Sequence, residues 1–184
     1  MPQPKFIVYL GLMGLIAGGC VELPSKQVLY EDSEVKVVKH KLPVIMADGG
    51  PTYFEFSGSG HTFRIPAELS YLPDSFARTP DGDAMVFMAR NLWPEEQAGI
   101  VRGAVHVVHL KSESDITVPF VIDWKGDFNP HVIVKSYDGK KTELFLDSAN
   151  GADRGGNLEI DLNSRQVTKF DRTNDSVVKP ATTR

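Results

Sequence analysis

The fold class is decided by the stretch AVHVVHLKSESDITVPFVI, residues 104 to 122. It contains two apolar runs, Ala104–Leu110 and Ile116–Ile122, separated by five polar residues. Both runs are rich in valine, isoleucine and phenylalanine, residues that favour strands. Because proline cannot donate to a strand ladder, Pro119 predicts that the second strand lies at a sheet edge or contains a bulge.

Seven further runs predict strands on the same grounds of composition and length. Thr52–Phe56 alternates between apolar and polar residues, as a half-buried strand does. Met85–Met88 is continuously apolar, which is typical of a strand buried on both faces. The seven runs are Val35–Val38, Thr52–Phe56, Ala84–Ala89, His131–Tyr137, Thr142–Leu146, Asn157–Leu162 and Gln166–Phe170.

Turn signals outnumber helix signals in this chain. Asp138-Gly139 predicts a tight hairpin, and a second hairpin is expected at Leu162–Arg165. Pro94–Val101 predicts a helix of about two turns, with proline and acidic residues in its first turn. Single turns are expected at Pro66–Leu69 and Pro73–Phe76. We therefore expect a mainly β fold: a single antiparallel β-sandwich or partly closed β-barrel, with one or two short helices.

The N-terminal 20 residues have a different character. Lys5 supplies positive charge, residues 6–17 are apolar, and Gly18 and Gly19 precede Cys20, the only cysteine. This pattern resembles the signal peptide of bacterial lipoproteins, whose lipobox ends in an invariant cysteine after small residues. Ala17 stands where that family most often has leucine. The resemblance implies cleavage before Cys20 and acylation of its thiol, for example with palmitate, and it implies nothing about the fold that follows.

The same resemblance implies a location. The uncharged segment falls short of the roughly 20 residues that a membrane-spanning helix needs, so acyl chains on Cys20 would be the membrane anchor. Val21 stands where aspartate retains enterobacterial lipoproteins in the inner membrane, which favours the outer membrane, facing the periplasm. The expected organisation is a cleaved signal peptide (1–19), an acylated N-terminus and tether (20–33), a β domain (34–172) and a flexible C-terminal tail (173–184).

Charge and cysteine content exclude several classes of protein. The chain has a net charge of −4, and removal of residues 1–19 takes away only one charged residue, Lys5. An acidic chain of this kind is not expected to bind nucleic acid. Once Cys20 is acylated, no thiol remains for a disulfide, a nucleophile or a metal ligand. The apolar core alone must then hold the domain together.

Three sets of residues could carry chemistry. His106 and His109 are three residues apart in a predicted strand, so their side chains should point to opposite faces and not share a metal ion. We predict no metal or other cofactor. Asp81 and Asp123 lie near turns and could form the acid pair of a hydrolase. Trp93 and Trp124 lie near loop edges, where they could bind a protein, stack on a sugar, or belong to the core.

Two glycine-rich loops invite a functional interpretation. Ser57–His61 lacks both the nucleophile-elbow and the phosphate-loop patterns, so a plain inter-strand loop is expected. Asn150–Asn157 lacks the alternating acids and closing glutamate of a calcium loop, so a hairpin or long surface turn is expected.

The sequence leaves three hypotheses for function. The first is a non-catalytic protein-binding module anchored in the bacterial envelope, such as an inhibitor or immunity protein or a component of a secretion or conjugation apparatus, with a protein partner there. The second is an envelope hydrolase that uses an acidic pair. The third is a carrier of a lipid or another small ligand. We expect the first, and therefore no enzymatic activity.

Overall fold

The computed structural model describes residues 24–41, 52–58, 60–68, 70–90, 99–124, 128–148 and 155–172. These residues form twelve strands and one 3-10 helix of three residues, Pro73–Ser75. Within these ranges no helix is long and apolar enough to span a bilayer. The strands are β1 (Ser25–Glu31), β2 (Val35–Lys41), β3 (Thr52–Gly58), β4 (His61–Pro66), β5 (Ala77–Arg78), β6 (Ala84–Arg90), β7 (Ile100–His109), β8 (Ser114–Asp123), β9 (Pro130–Tyr137), β10 (Lys141–Ser148), β11 (Gly156–Asp161) and β12 (Gln166–Arg172).

The strands form three antiparallel sheets of four strands each. The first sheet is β1-β2-β3-β4, the middle sheet is β5-β6-β7-β8, and the third sheet is β9-β10-β11-β12. Every strand pairs with its neighbour in sequence, so each sheet is a simple meander. No sheet closes into a barrel within the described part of the chain. The predicted mainly β, antiparallel fold is confirmed, and it is of the sandwich type.

The middle sheet has an apolar core on each of its faces. On β6, Ala84, Val86 and Met88 belong to a core shared with the third sheet. The alternate residues Met85 and Phe87 belong to a second core shared with the first sheet. Six consecutive residues, Ala84–Ala89, are therefore buried. This confirms the prediction that the continuously apolar run is covered on both faces, because successive side chains of a strand point in opposite directions.

The second core is built largely from aromatic rings. Phe87 of the middle sheet stacks on Phe76, with ring centroids 4.8 Å apart, and meets Phe54 of the first sheet edge-to-face at 5.4 Å. All three rings are buried. Such pairs add about 0.5–1.5 kcal/mol each beyond the burial of apolar area. These rings hold the first sheet against the middle sheet.

Local turn chemistry matches the sequence predictions. Asp138 Oδ1 accepts hydrogen bonds from the amides of Lys140 and Lys141, at 2.8 and 2.6 Å, and Gly139 has a φ of 79°. Asp161 caps the second predicted hairpin in the same way. Pro119 lies on β8, an edge strand, as predicted. All nine predicted runs overlap strands of the structure.

Other predictions need correction. Ser25–Glu31 is not part of a free tether, because it pairs along its length with β2 and so extends the first sheet. His61–Pro66 is a strand paired with β3, and the single turn expected at Pro66 is replaced by the end of β4. Most of the helix predicted at Pro94–Val101 lies outside the described residues, but Ile100 and Val101 belong to β7.

Replacing Gly103 with alanine should destabilise the protein. A Cβ at this position of β7 would lie 2.2 Å from the carbonyl oxygen of Ala89 and 2.7 Å from the ring of Phe120. The backbone oxygen cannot move without disturbing the β6–β7 ladder, so we expect a loss of about 1–3 kcal/mol. Thermal unfolding measures this, with the adjacent exposed substitution Arg102→Ala as control. Equal melting temperatures for the two variants would contradict the close approach of β6 to Gly103.

Candidate functional site

The two histidines of β7 point to opposite faces of the middle sheet, as predicted. His106 stacks on Phe87, with ring centroids 4.4 Å apart, on the face covered by the first sheet. His109 Nδ1 lies 2.9 Å from the hydroxyl of Tyr137, which belongs to the third sheet. The histidines therefore cannot bind one metal ion together. Among the residues that the structure describes, no three His, Cys, Asp or Glu side chains are grouped to hold a metal ion.

The structure separates the acid pair proposed for a hydrolase. The carbonyl of Asp83, two residues from Asp81, accepts a hydrogen bond from Leu110, just beyond one end of β7. Asp123 pairs with Ile100 at the other end of that ten-residue strand. The two ends are about 30 Å apart at the usual rise per residue. Acid pairs in glycosidases are about 5–9.5 Å apart, so Asp81 and Asp123 cannot act as one pair.

Other sequence candidates have structural roles. Trp124 is buried and meets Phe128 edge-to-face at 5.2 Å, so it is a core tryptophan and not a surface anchor. Gly58 pairs with His61, so Ser57–His61 joins β3 to β4, as expected of an inter-strand loop. Cys20, Trp93 and the loop residues Asn150–Arg154 lie outside the described residues.

One pairing that the sequence reasoning missed joins His106 to Asp115. His106 Nδ1 lies 2.9 Å from Asp115 Oδ2 and 3.4 Å from Thr117 Oγ1. The β7–β8 hairpin places His106 opposite Thr117, so the register of that hairpin was the signal that could have revealed the pair. A cavity of about 340 Å³ beside them also includes Ser70 and Glu68.

This histidine–carboxylate pair is a familiar element of catalytic sites. Here, however, the ring lies flat on Phe87, with an interplanar angle of 4°, and its side chain is only 9% exposed. Its Nδ1 is occupied by the carboxylate of the neighbouring strand. The pair therefore serves to join β7 to β8 above the second core.

A second cavity, of about 290 Å³, is acidic. Asp81, Asp83 and Asp138 line it, together with Tyr137, His109 and Lys111, and Lys111 Nζ lies 2.7 Å from Asp83 Oδ1. Burial raises the pKa of the Tyr137 hydroxyl, and the three carboxylates raise it further. The hydroxyl therefore stays protonated and binds the ring of His109. The described acids also cap their own turn: Asp81 Oδ1 accepts from Thr79 at 2.7 Å and from the amide of Asp83 at 3.1 Å.

The third cavity has the opposite charge and is larger, about 530 Å³. It lies on the first sheet, where β1 begins and β2 ends. Its charged side chains are Lys26, Lys41, Arg64 and Glu55. Strand pairing brings them together, because Lys26 lies opposite His40 on β2 and Glu55 lies opposite Arg64 on β4. We call this the basic cavity.

A stack of side chains forms one wall of the basic cavity. The ring of His40 lies parallel to that of Tyr53, with centroids 4.7 Å apart. The Arg64 guanidinium lies 4.7 Å from the same tyrosine ring. Arg64 also donates from Nε and Nη2 to Glu55 Oε2, at 2.9 and 2.8 Å. Guanidinium groups stack well on aromatic faces, so one arginine fixes both Tyr53 and Glu55.

His40 is the buried member of this wall. Its side chain is only 9% exposed, and its Nε2 lies 3.4 Å from Glu55 Oε1 without hydrogen-bond geometry. The hydrogen bond from Arg64 lowers the pKa of the Glu55 carboxyl, burial opposes this, and the nearby His40 lowers it further. Glu55 is therefore held in its charged form at neutral pH.

This lowered pKa predicts a pH-dependent contribution of Glu55 to stability. A carboxyl whose pKa is lower when folded stabilises the protein above its unfolded pKa, and the contribution is lost as pH falls through the folded pKa. Wild type should therefore melt at a higher temperature than Glu55→Gln near pH 7, and the difference should shrink between about pH 5 and pH 3. Thermal scans across that range measure it. A difference that stays constant would show that ionisation of Glu55 does not contribute.

Comparison with known proteins gives no relative, since no family model, no curated protein and no solved structure matches the chain. Function is therefore inferred from the cavities and from the exposed faces of the sheets.

Proposed function

We propose that the mature chain is a non-catalytic protein-binding module, anchored by acyl chains on Cys20 in the bacterial outer membrane and facing the periplasm. The observation that carries the binding role is the exposed outer face of β8, the last strand of the middle sheet. The export pattern that ends at Cys20 supports the location. An inhibitor or immunity protein and a component of a secretion or conjugation apparatus would both use such a surface.

Strand β8 is long and only partly covered. It pairs with β7 on one side and is the last strand of its sheet. Val118, Phe120 and Ile122 face the core, whereas Val121 is 64% exposed and Pro119 is also exposed. A partner can cover this exposed face of the strand. The exposed valine gives that partner an apolar contact.

The polar clusters of the described residues support a non-catalytic role. Asp81 and Asp138 cap turns, and Asp115 holds His106 against the core. Within the described residues the two apolar cores consist of buried side chains such as Phe54 and Leu144, which favours a binding surface over the carriage of a lipid inside the fold. Binding at an exposed strand face also needs no cofactor.

Site-specific photocrosslinking in native membranes tests this proposal. A photoreactive amino acid at Val121 should give a discrete crosslinked protein, because that side chain would be covered by the partner. The same group at Ile133, an exposed residue of β9 in the third sheet, is the matched control and should not give that product. Val121→Glu should reduce recovery of the partner by at least about tenfold if the contact is apolar. Identical crosslinking patterns at the two positions, or none at Val121, would refute the β8 surface.

A further inference from the structure

We propose that the basic cavity binds the phosphate group of an anionic lipid headgroup. Among the described residues that line it, Lys26, Lys41 and Arg64 are cationic and Glu55 is the one carboxylate. These four described side chains sum to a formal charge of +2, in a chain whose net charge is −4. A concentration of positive charge on an acidic protein attracts anions to that one place.

The cations suit a phosphate ligand. Arg64 neutralises Glu55 through its two donated hydrogen bonds, so the carboxylate repels an incoming anion less. Lys26 is exposed and forms no ion pair within the described ranges, so it is available as a point charge. Lysine and arginine are the usual partners of phosphate oxygens.

The buried His40 distinguishes this cavity from a chance group of surface lysines. Its ring is nine-tenths buried behind the cavity wall, stacked on Tyr53, with Nε2 lacking a hydrogen-bond partner. A buried polar atom without a partner costs stability, so such atoms are uncommon and need a reason. Here the imidazole stacks on Tyr53, and Arg64 is held by both Tyr53 and Glu55. The binding wall is thus organised before a ligand arrives.

The position of the cavity indicates a lipid as the source of the phosphate. Pro24 and Ser25 line it, and Pro24 is four residues after Cys20. Four residues reach at most about 14 Å, so an anchor at Cys20 would keep the cavity at the level of the headgroups. The proposal that the phosphate belongs to a lipid rests on the proposed anchor at Cys20. The proposal that the cavity binds an anion does not depend on that anchor. The volume of about 530 Å³ has room for more than a free phosphate ion.

Calorimetric titration of the purified full chain in neutral detergent tests the proposal. The ligands are dihexanoyl phosphatidylglycerol and inorganic phosphate, at one ionic strength. The charge-reversing variant Lys26→Glu removes one cation of the cavity. Lys140→Glu makes the same change of charge at the exposed β9–β10 turn and is the matched control. Circular dichroism checks that both variants keep the strand-rich fold.

We expect the lipid to bind wild type more tightly than phosphate, Lys26→Glu to weaken lipid binding at least tenfold, and Lys140→Glu to leave it unchanged. Equal affinity for lipid and inorganic phosphate would overturn the lipid source. If the lipid does not bind, or if Lys26→Glu and Lys140→Glu weaken lipid binding equally, the basic cavity is not the binding site. Failure of the anchor proposal is detected separately, by fatty-acid labelling of Cys20.

Discussion

Replacing Phe87 with alanine is expected to lower the free energy of unfolding by roughly 3–5 kcal/mol. The ring is fully buried, and it contacts Phe54 of the first sheet, Phe76 before β5, and His106 of β7. Truncation removes all three ring contacts and leaves a cavity between two sheets whose backbones cannot close it. Since a whole domain is stable by only about 5–15 kcal/mol, a loss of this size would leave much of the protein unfolded on mild heating.

Urea unfolding of wild type and Phe87→Ala measures the effect as a shift in the transition midpoint. Val121→Ala, an exposed truncation in the same sheet, is the control and should change stability by no more than about 0.5 kcal/mol. If Phe87→Ala behaves like this control, the first sheet does not depend on the shared aromatic core. A split transition for Phe87→Ala would show that the first sheet unfolds separately from the other two.

Replacing Cys20 with serine is expected to abolish lipid attachment completely. Cys20 carries the only thiol in the chain, and a serine hydroxyl would not replace that thiol in the predicted acylation. Each buried methylene of an acyl chain contributes about 0.8 kcal/mol to membrane binding, so loss of the chains should release the protein from the membrane.

Metabolic labelling with a fatty-acid analogue, followed by membrane fractionation, measures this effect. Wild type should be labelled and sediment with membranes, and Cys20→Ser should be unlabelled. Met13→Leu, a conservative change within the apolar run, should be labelled as strongly as wild type. Labelling of Cys20→Ser at the wild-type level would refute the anchor.

Fold class could be predicted from the sequence because its causes are local. Valine-rich runs such as Ala104–Leu110 favour extended backbone wherever they lie in the chain. Asp138-Gly139 forms its turn with its own backbone, through the carboxylate of Asp138 and the positive φ of Gly139. The opposite orientation of His106 and His109 likewise follows from the period of a strand. Each of these three predictions depends only on residues that are close together in the chain.

The local sequence pattern did not predict strand β1. Ser25–Glu31 is largely exposed and begins with three polar residues, so its composition resembles that of a tether. It is a strand because β2 offers it an edge, with Val28 opposite Val38 and Glu31 opposite Lys36. Hydrogen bonds to the backbone of β2 hold this segment in an extended conformation. A local sequence pattern cannot show that such a partner strand is present.

The sequence by itself determined an antiparallel β protein and its hairpins, and Pro119 limited its strand to an edge or a bulge. Acylation of Cys20 stays a prediction. Only the tertiary structure decided that the middle sheet carries a core on each face, and that Asp81 and Asp123 are far apart. It also decided that Lys26, Lys41 and Arg64 share one cavity. The physical reason is that the pairing register of strands and the stacking of sheets join residues far apart in the chain, and local backbone preferences carry no information about either.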